Sequence, residues 1–424
     1  MSGSIAFINA RVIDPASERD FHGGVLIEDG LIAQIDETVD TSSAEEIIDA
    51  QGRILAPALI DLRVAREPGL TPDGETLETL CRGAAAGGVG TMVLAPNSVT
   101  PNDRPESLPS APHDTPVRVL TAAGATQGLQ GQAMTELGLL ARAGAVYAGC
   151  GDQPISDTRT MRRVLAYASH LDLWVAARPA DAHLSADTVA LESDWSARLG
   201  LPSEPGISER IAIERDASLA ELSGGKFLID RLSTSSGLDA LRHVRQRDIE
   251  LASTVAIAHL VLNEIDAGDL DGAFRMTPPL RAESDRMALV EAVANGEINA
   301  VVSDHRPTPF DDKGEPFALA VPGTLAIETM LGSLLGLVHD GQLELMDALQ
   351  VVTSGPADIL GLPQGRLSPG TPADLILIDG DVPWVCDPDE FASPRGNSAW
   401  AGRRFQGRVL QTIVGGCTIH NHNA

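Results

Sequence analysis

Between residues 54 and 304 the chain alternates short apolar runs with helical stretches, and no other feature constrains the fold as much. Eight runs read as strands, at 54–62, 91–95, 117–121, 145–149, 172–177, 226–231, 249–256 and 299–304. Segments of helical character lie between them, at 76–86, 134–143, 157–170, 208–223, 237–247 and 286–295. Strands that alternate with helices make parallel βα units. Eight such units predict a closed (β/α)8 TIM barrel, an α/β fold. A doubly wound open sheet is the alternative, but no G-x-G-x-x-G follows the first strand and no G-x-x-x-x-G-K-[ST] occurs.

The two ends read differently. Segments 5–9, 24–28 and 31–35 are β-rich, with the turn Glu28-Asp29-Gly30 between the last two. Segments 373–378 and 408–414 repeat the style. The expectation is one small β-sandwich assembled from residues 1–55 and 361–424, with the barrel spanning 56–360.

Charge excludes several function classes. Thirty-one basic against 59 acidic residues leave a formal charge of −28. Such a surface repels phosphate backbones and anionic lipid, which argues against nucleic-acid binding and a polybasic membrane anchor. The four cysteines (Cys81, Cys150, Cys386 and Cys417) form no C-x-x-C pair, so a zinc ribbon or redox motif is not expected. Dispersed thiols suit a reducing compartment. The start Met1-Ser2-Gly3-Ser4 lacks a basic n-region and an apolar h-region. Together these point to a cytoplasmic protein.

In barrels of this kind chemistry sits at the C-terminal ends of the strands. Those ends carry Arg63 and Ala65, Asn97, Cys150, Arg178, Arg231, Ala258 with His259, and Asp304 followed by His305. His259, Asp304 and His305 could converge as an acid/base group, but they do not have the spacing of a well-made zinc site. His420-Asn421-His422 is an H-x-H in the last residues, where a frayed tail is expected. No G-x-S-x-G elbow exists, and Ser233-Thr234-Ser235-Ser236 reads as a helix cap. Asn97 could serve a ligand or only its own turn. The positive feature is arginine: Arg63, Arg66, Arg178 and Arg231 crowd one rim. Such guanidinium groups repel unless paired, with Asp304 and Glu67 the local candidates, or unless they grip an anion bidentately.

At these residues the chain resembles the dihydroorotase family of the amidohydrolase superfamily. Ala56-Pro-Ala-Leu-Ile-Asp-Leu-Arg-Val-Ala-Arg-Glu-Pro-Gly69 is similar to the family's P-G-hydrophobic-x-D-x-H-x-H-L-R-E-P-G. Ala95-Pro-Asn-Ser98 resembles M-P-N-T, Met276-Thr-Pro-Pro-Leu-Arg281 resembles M-N-P-P-L-R, and Ser303-Asp-His-Arg-Pro307 resembles T-D-H-A-P. The terminal segments 7–14 and 372–379 resemble the amidohydrolase β-sandwich. The resemblance runs in order along essentially the whole chain.

It implies an amidohydrolase-type barrel and, residue by residue, the loss of the family's zinc. The first histidine of the strand-one pair corresponds to Arg63. The second corresponds to Ala65, with one residue fewer before Arg66. The strand-four ligand falls in Ala148-Gly-Cys-Gly151, which has neither Asp nor Lys. Arg178 and Arg231 stand where the strand-five and strand-six histidines would be, and only Asp304 remains. The substrate-binding Arg and Asn map onto Arg66 and Asn97, and the Asn of M-N-P-P onto Thr277. No metal and no cofactor are therefore expected, with the arginines compensating the Asp304 carboxylate.

Tyr147-Ala-Gly-Cys-Gly-Asp-Gln-Pro-Ile155 and the two arginine replacements resemble inactive dihydroorotase-like chains that assemble with the catalytic chain of aspartate carbamoyltransferase. The implied protein is a non-catalytic, oligomeric subunit of pyrimidine biosynthesis. The alternative is an active cyclic-amide hydrolase with an altered or metal-free site, Asp304 acting as general base with Arg66, Asn97, His259 and His305 around it. A third reading is a small-anion binding module built on the arginine cluster of Arg63, Arg66, Arg178 and Arg231.

Overall fold

The structure, a computed structural model, describes residues 3–66, 75–96, 101–108, 115–308, 313–393 and 396–422. Asn97 and Glu67 lie outside these residues. All eight expected barrel strands form. They are β1 (Leu59–Val64), β2 (Val89–Leu94), β3 (Arg118–Gly124), β4 (Ala145–Gly149), β5 (Trp174–Ala177), β6 (Lys226–Ile229), β7 (Leu251–Ala256) and β8 (Ala300–Val302). Each pairs in parallel with the next. A parallel bridge between Val64 and His305, with Ala65 N–H donating to His305 O at 2.8 Å, joins the last strand to the first.

The strands read as continuous apolar runs because both faces are covered. Ile60, Leu62, Val93, Ala122, Tyr147, Leu228 and Val302 fill the barrel interior. The Tyr147 hydroxyl donates to Leu62 O at 3.0 Å, which satisfies the one polar atom of that ring under the mouth. The helices follow the expected stretches within a few residues, from Leu77–Ala86 to Glu283–Ala294. Thr76 caps the first of them by accepting from Thr79 N–H.

The first predicted strand, 54–62, is two strands. Ile54–Pro57 belongs to the terminal sheet, where it pairs parallel with Ile5–Asp14 and antiparallel with Leu375–Val385. Only after Ala58 does the chain enter the barrel. Both pieces are buried and apolar, so no polar turn marks the change of partner.

The termini build one eight-stranded sheet. It encloses its own core of Phe7, Val25, Ile27, Ile32, Leu55 and Leu375. The expected frayed tail is instead ordered: Cys417–Asn421 pairs antiparallel with Arg404–Val414 and carries His420. Edge pairing satisfies its backbone, which composition alone does not reveal.

Candidate functional site

Three arginines and three aspartates meet at the C-terminal mouth of the barrel. Arg63, in β1, is 3% exposed. Its Nη1 donates to Asp230 Oδ2 at 2.8 Å, its Nη2 to Asp152 Oδ1 at 2.9 Å, and its Nε to Asp304 Oδ1 at 2.9 Å. Arg231, just past β6, is 1% exposed. It donates to Asp152 Oδ1 at 2.7 Å, to Asp304 Oδ2 at 3.0 Å and to Thr277 O at 2.6 Å. Arg306 completes the group by donating to Asp152 Oδ2 at 2.7 Å.

The local backbone is bent to allow this. Arg231 and Asp304 both hold left-handed conformations, with φ of 64° and 49°. Bulky residues rarely adopt this region, and it persists only where the surroundings impose it. At Arg231 the constraint is visible. Its N–H donates to Thr254 Oγ1 at 2.9 Å, and Leu232 N–H to Thr254 O at 2.8 Å, so β7 clamps the turn.

Electrostatics follow from the pairing. Burial disfavours the charged form of Arg63, and Arg231 repels it, yet Asp230, Asp304 and Asp152 hold it above its ordinary value. Arg231 is likewise pulled down by burial and held higher by Asp304, Asp230 and Asp152. Burial would raise Asp152, but Arg231, Arg306 and Arg63 hold it well below the usual carboxylate range. Among the described residues the group pairs three guanidinium groups with three carboxylates. The space left among Arg63, Asp152, Arg231, His259 and Asp304 is about 10 Å³, about the lower limit for one water molecule.

A second buried group supports the first. Arg281 donates to Glu204 at 2.6 Å and to Glu209 at 3.3 Å. Glu209 also accepts from Ser233 and Thr234, which anchors the loop after β6. Thr234 Oγ1 accepts from Gly237 N–H at 3.0 Å and caps the following helix, as its position suggests. Asp61 accepts from Arg63 N–H and from both Ser303 donors. Burial pushes it up to about 6 against those hydrogen bonds.

The residues singled out from sequence separate into distinct places. Arg63, Arg231, Asp304 and His259 line the mouth. His259 is neutral, pushed down to about 4 by burial and by Arg281. Its Nε2 lies 3.2 Å from Pro279 O, while Nδ1 is buried without a partner. His305 does not converge with Asp304. Asp304 turns the chain in left-handed backbone, and the next side chain, His305, points away to Glu75 at 3.3 Å. Its Nδ1 accepts from Ala326 and Ile327 N–H, so both ring nitrogens serve the structure. Arg66 is half-buried and does not line the mouth space. Arg178 is 8% exposed and, among the described residues, makes no ion pair with Asp304.

Sequence reasoning missed Asp152, Asp230 and Arg306. Asp152 lies one residue beyond the strand-four segment in which an acid was sought, and Asp230 directly precedes Arg231. Counting carboxylates within three residues of each strand end would have found both. Among the described residues no three His, Cys, Asp or Glu side chains converge to hold a metal ion. A guanidinium offers only N–H donors and has no lone pair for a metal. Both oxygens of Asp304 are already taken by Arg63 and Arg231.

Comparison with known proteins agrees with this architecture. A family model described as dihydro-orotase-like matches residues 52–236, and one described as amidohydrolase family matches residues 240–419. The dihydroorotase of Syntrophotalea carbinolica is 35% identical over 417 residues, covering 97% of this chain and 98% of that protein. The dihydroorotase of Anaeromyxobacter dehalogenans strain 2CP-1 is 34% identical over 430 residues, covering 100% and 99%. Among solved structures, L-hydantoinase (dihydropyrimidinase) from Arthrobacter aurescens superposes with a TM-score of 0.87 at 21% identity. The match covers 99% of this chain and 96% of that one.

Proposed function

This chain belongs to the dihydroorotase-like amidohydrolases, and from that membership we propose that it is a non-catalytic subunit of pyrimidine biosynthesis that supports the assembly of aspartate carbamoyltransferase. The observation that carries the reading is the closed ion-pair group at the mouth. Where the family resemblance calls for zinc-binding histidines, Arg63 and Arg231 instead saturate Asp304. A cation that belongs to the chain replaces a cation that would have to be bound.

Such a mouth has little left for hydrolysis. A general base must reach a water or substrate proton, and Asp304 is held by two guanidinium groups at 2.9 and 3.0 Å. His259 presents its Nε2 to a backbone carbonyl. These contacts weigh against the reading of an active hydrolase with a metal-free site.

The partner rests on the likeness of segment 147–155 and of the arginine positions to non-catalytic chains of such complexes. An oligomer with the transferase's catalytic chain is the expected form. Cys81, Cys150 and Cys386 are free and buried, which suits a reducing cytoplasm. No helix among the described residues is long and apolar enough to cross a membrane.

The test is co-expression with an aspartate carbamoyltransferase catalytic chain, followed by size exclusion, metal analysis and a dihydroorotase assay on the lone chain and the complex. A stable joint complex without bound zinc or dihydroorotate turnover is expected. Separate elution at micromolar concentration sinks the assembly role. Turnover lost on Asp304→Ala sinks the non-catalytic one.

A further inference from the structure

Beside this ion-pair group lies a set of buried cations that form no ion pair among the described residues. Arg178 follows β5 and is 8% exposed. Its Nε is buried with no partner, and among the described residues its guanidinium makes no hydrogen bond and no ion pair. Among the described residues Arg275 donates only to backbone carbonyls, Met276 O at 2.6 Å and Thr188 O at 3.3 Å, and its Nε too is buried and unpartnered. Lys313 Nζ donates to Gly272 O at 2.8 Å and Arg275 O at 2.9 Å.

The nearby carboxylates are committed elsewhere. Asp152 is shared by Arg63, Arg231 and Arg306, and Glu204 holds Arg281 at 2.6 Å. The three-to-three group is neutral, and the surplus carboxylate of the Arg281–Glu204–Glu209 group offsets one of the cations Arg178, Arg275 and Lys313, so among the described residues this face keeps a cationic excess. That excess sits in a chain whose formal charge is −28.

Mutual repulsion is felt. Arg275 is pushed down to about 10 by burial and then by Arg178, with Arg306 adding to it. Lys313 is pushed down to about 7 by burial, Arg275 and Arg306, against the exposed Asp271. A buried guanidinium without a partner is costly, and a doubly charged oxyanion satisfies forked N–H donors and like-charge repulsion together.

We propose that Arg178, with Arg275 and Lys313 beside it, forms a binding site for a small oxyanion, a phosphate or a dicarboxylate, at the barrel mouth. Arg178 supplies the free guanidinium fork, Arg275 supplies positive charge, and Lys313 supplies an ammonium whose charged form a bound anion favours. The site stands next to the closed Asp304 group and leaves it intact. It does not depend on the assembly role, because it is read on the isolated chain and assembly is read by co-purification.

The experiment is a thermal-unfolding and calorimetric titration of the full chain with inorganic phosphate and, separately, succinate, against sodium chloride at matched ionic strength. A saturable rise in Tm with either anion is expected, and the arm that responds identifies the class. Arg178→Gln should weaken binding about tenfold or more, the loss of a charged hydrogen-bond donor. Without anion that variant should unfold no earlier than the natural chain. Arg178→Lys, which keeps the charge and loses the fork, should bind with intermediate affinity and serves if the glutamine variant does not fold. The proposal is overturned if neither anion exceeds sodium chloride, or if either variant titrates with the natural midpoint.

Discussion

Arg231 and Asp304 end two strands that flank β7, both in left-handed backbone, and their side chains meet across it at 3.0 Å. The contact joins two unusual conformations, so each side chain helps hold the other's backbone in place. Asp152 extends it to Arg63 and Arg306.

Removing one member of such a buried group leaves charges uncompensated. Asp152→Ala removes a carboxylate that three guanidinium groups share, leaves the buried group with one positive charge in excess, and is expected to cost about 3–5 kcal/mol. Breaking the exposed Arg11–Asp20 pair, at 2.6 Å but 40% and 37% exposed, should cost no more than about 1 kcal/mol. Urea unfolding of Asp152→Ala and Asp20→Ala side by side checks the contrast.

His259 predicts a pH dependence. Its folded-state pKa, about 4, lies below its ordinary value. Between the two values the unfolded chain binds a proton that the folded chain refuses. Stability from this residue is therefore complete above its unfolded pKa and is lost as pH falls toward about 4. At pH 5 the loss is about 2 kcal/mol. Urea unfolding at pH 7 and pH 5 should show a fall that is smaller by that amount in His259→Gln. An equal fall in both proteins would disprove the assignment.

A Cβ at Gly237 would lie 2.5 Å from Glu209 Oε2 and 2.7 Å from Leu232 Cδ1. Glu209 cannot yield easily, since Ser233, Thr234 and Arg281 all hold it. Gly237→Ala should therefore destabilise by about 1–3 kcal/mol, the range for overpacking, whereas alanine at Gly336 meets nothing within 4 Å. Parallel thermal melts of the two variants decide it.

Rebuilding the metal site is the converse test of the proposed loss. Histidine at positions 63, 65, 178 and 231 beside Asp304 provides nitrogen and oxygen donors where three guanidinium groups and the Ala65 methyl now stand. The quadruple variant should retain about one zinc ion after dialysis, and the natural chain none, by elemental analysis. A natural chain that keeps stoichiometric zinc would falsify the loss.

The barrel was legible because its evidence is local. Each strand is a short apolar run and each helix a periodic one, so the order of elements appears without knowing any contact. The boundary at Ala58 was not legible, since burial on both sides erases the turn signal there. Arg63, Arg231 and Asp304 could be placed at the mouth because strand ends converge in this fold.

Their partners were not legible. Asp230 and Arg63 are 167 positions apart, and Arg306 and Asp152 are 154 apart. Only barrel closure brings them within a hydrogen bond. Side-chain direction was equally hidden: Asp304 and His305 are adjacent in sequence, yet one faces the arginines and the other Glu75. By itself the sequence determined which elements form and which residues stand at the strand ends, because propensity and periodicity act over a few residues. The tertiary structure alone decided which charges pair and which, like Arg178, are left over. Pairing depends on distance and direction across the closed barrel, because the Coulomb energy falls with separation and the hydrogen bond weakens steeply with angle.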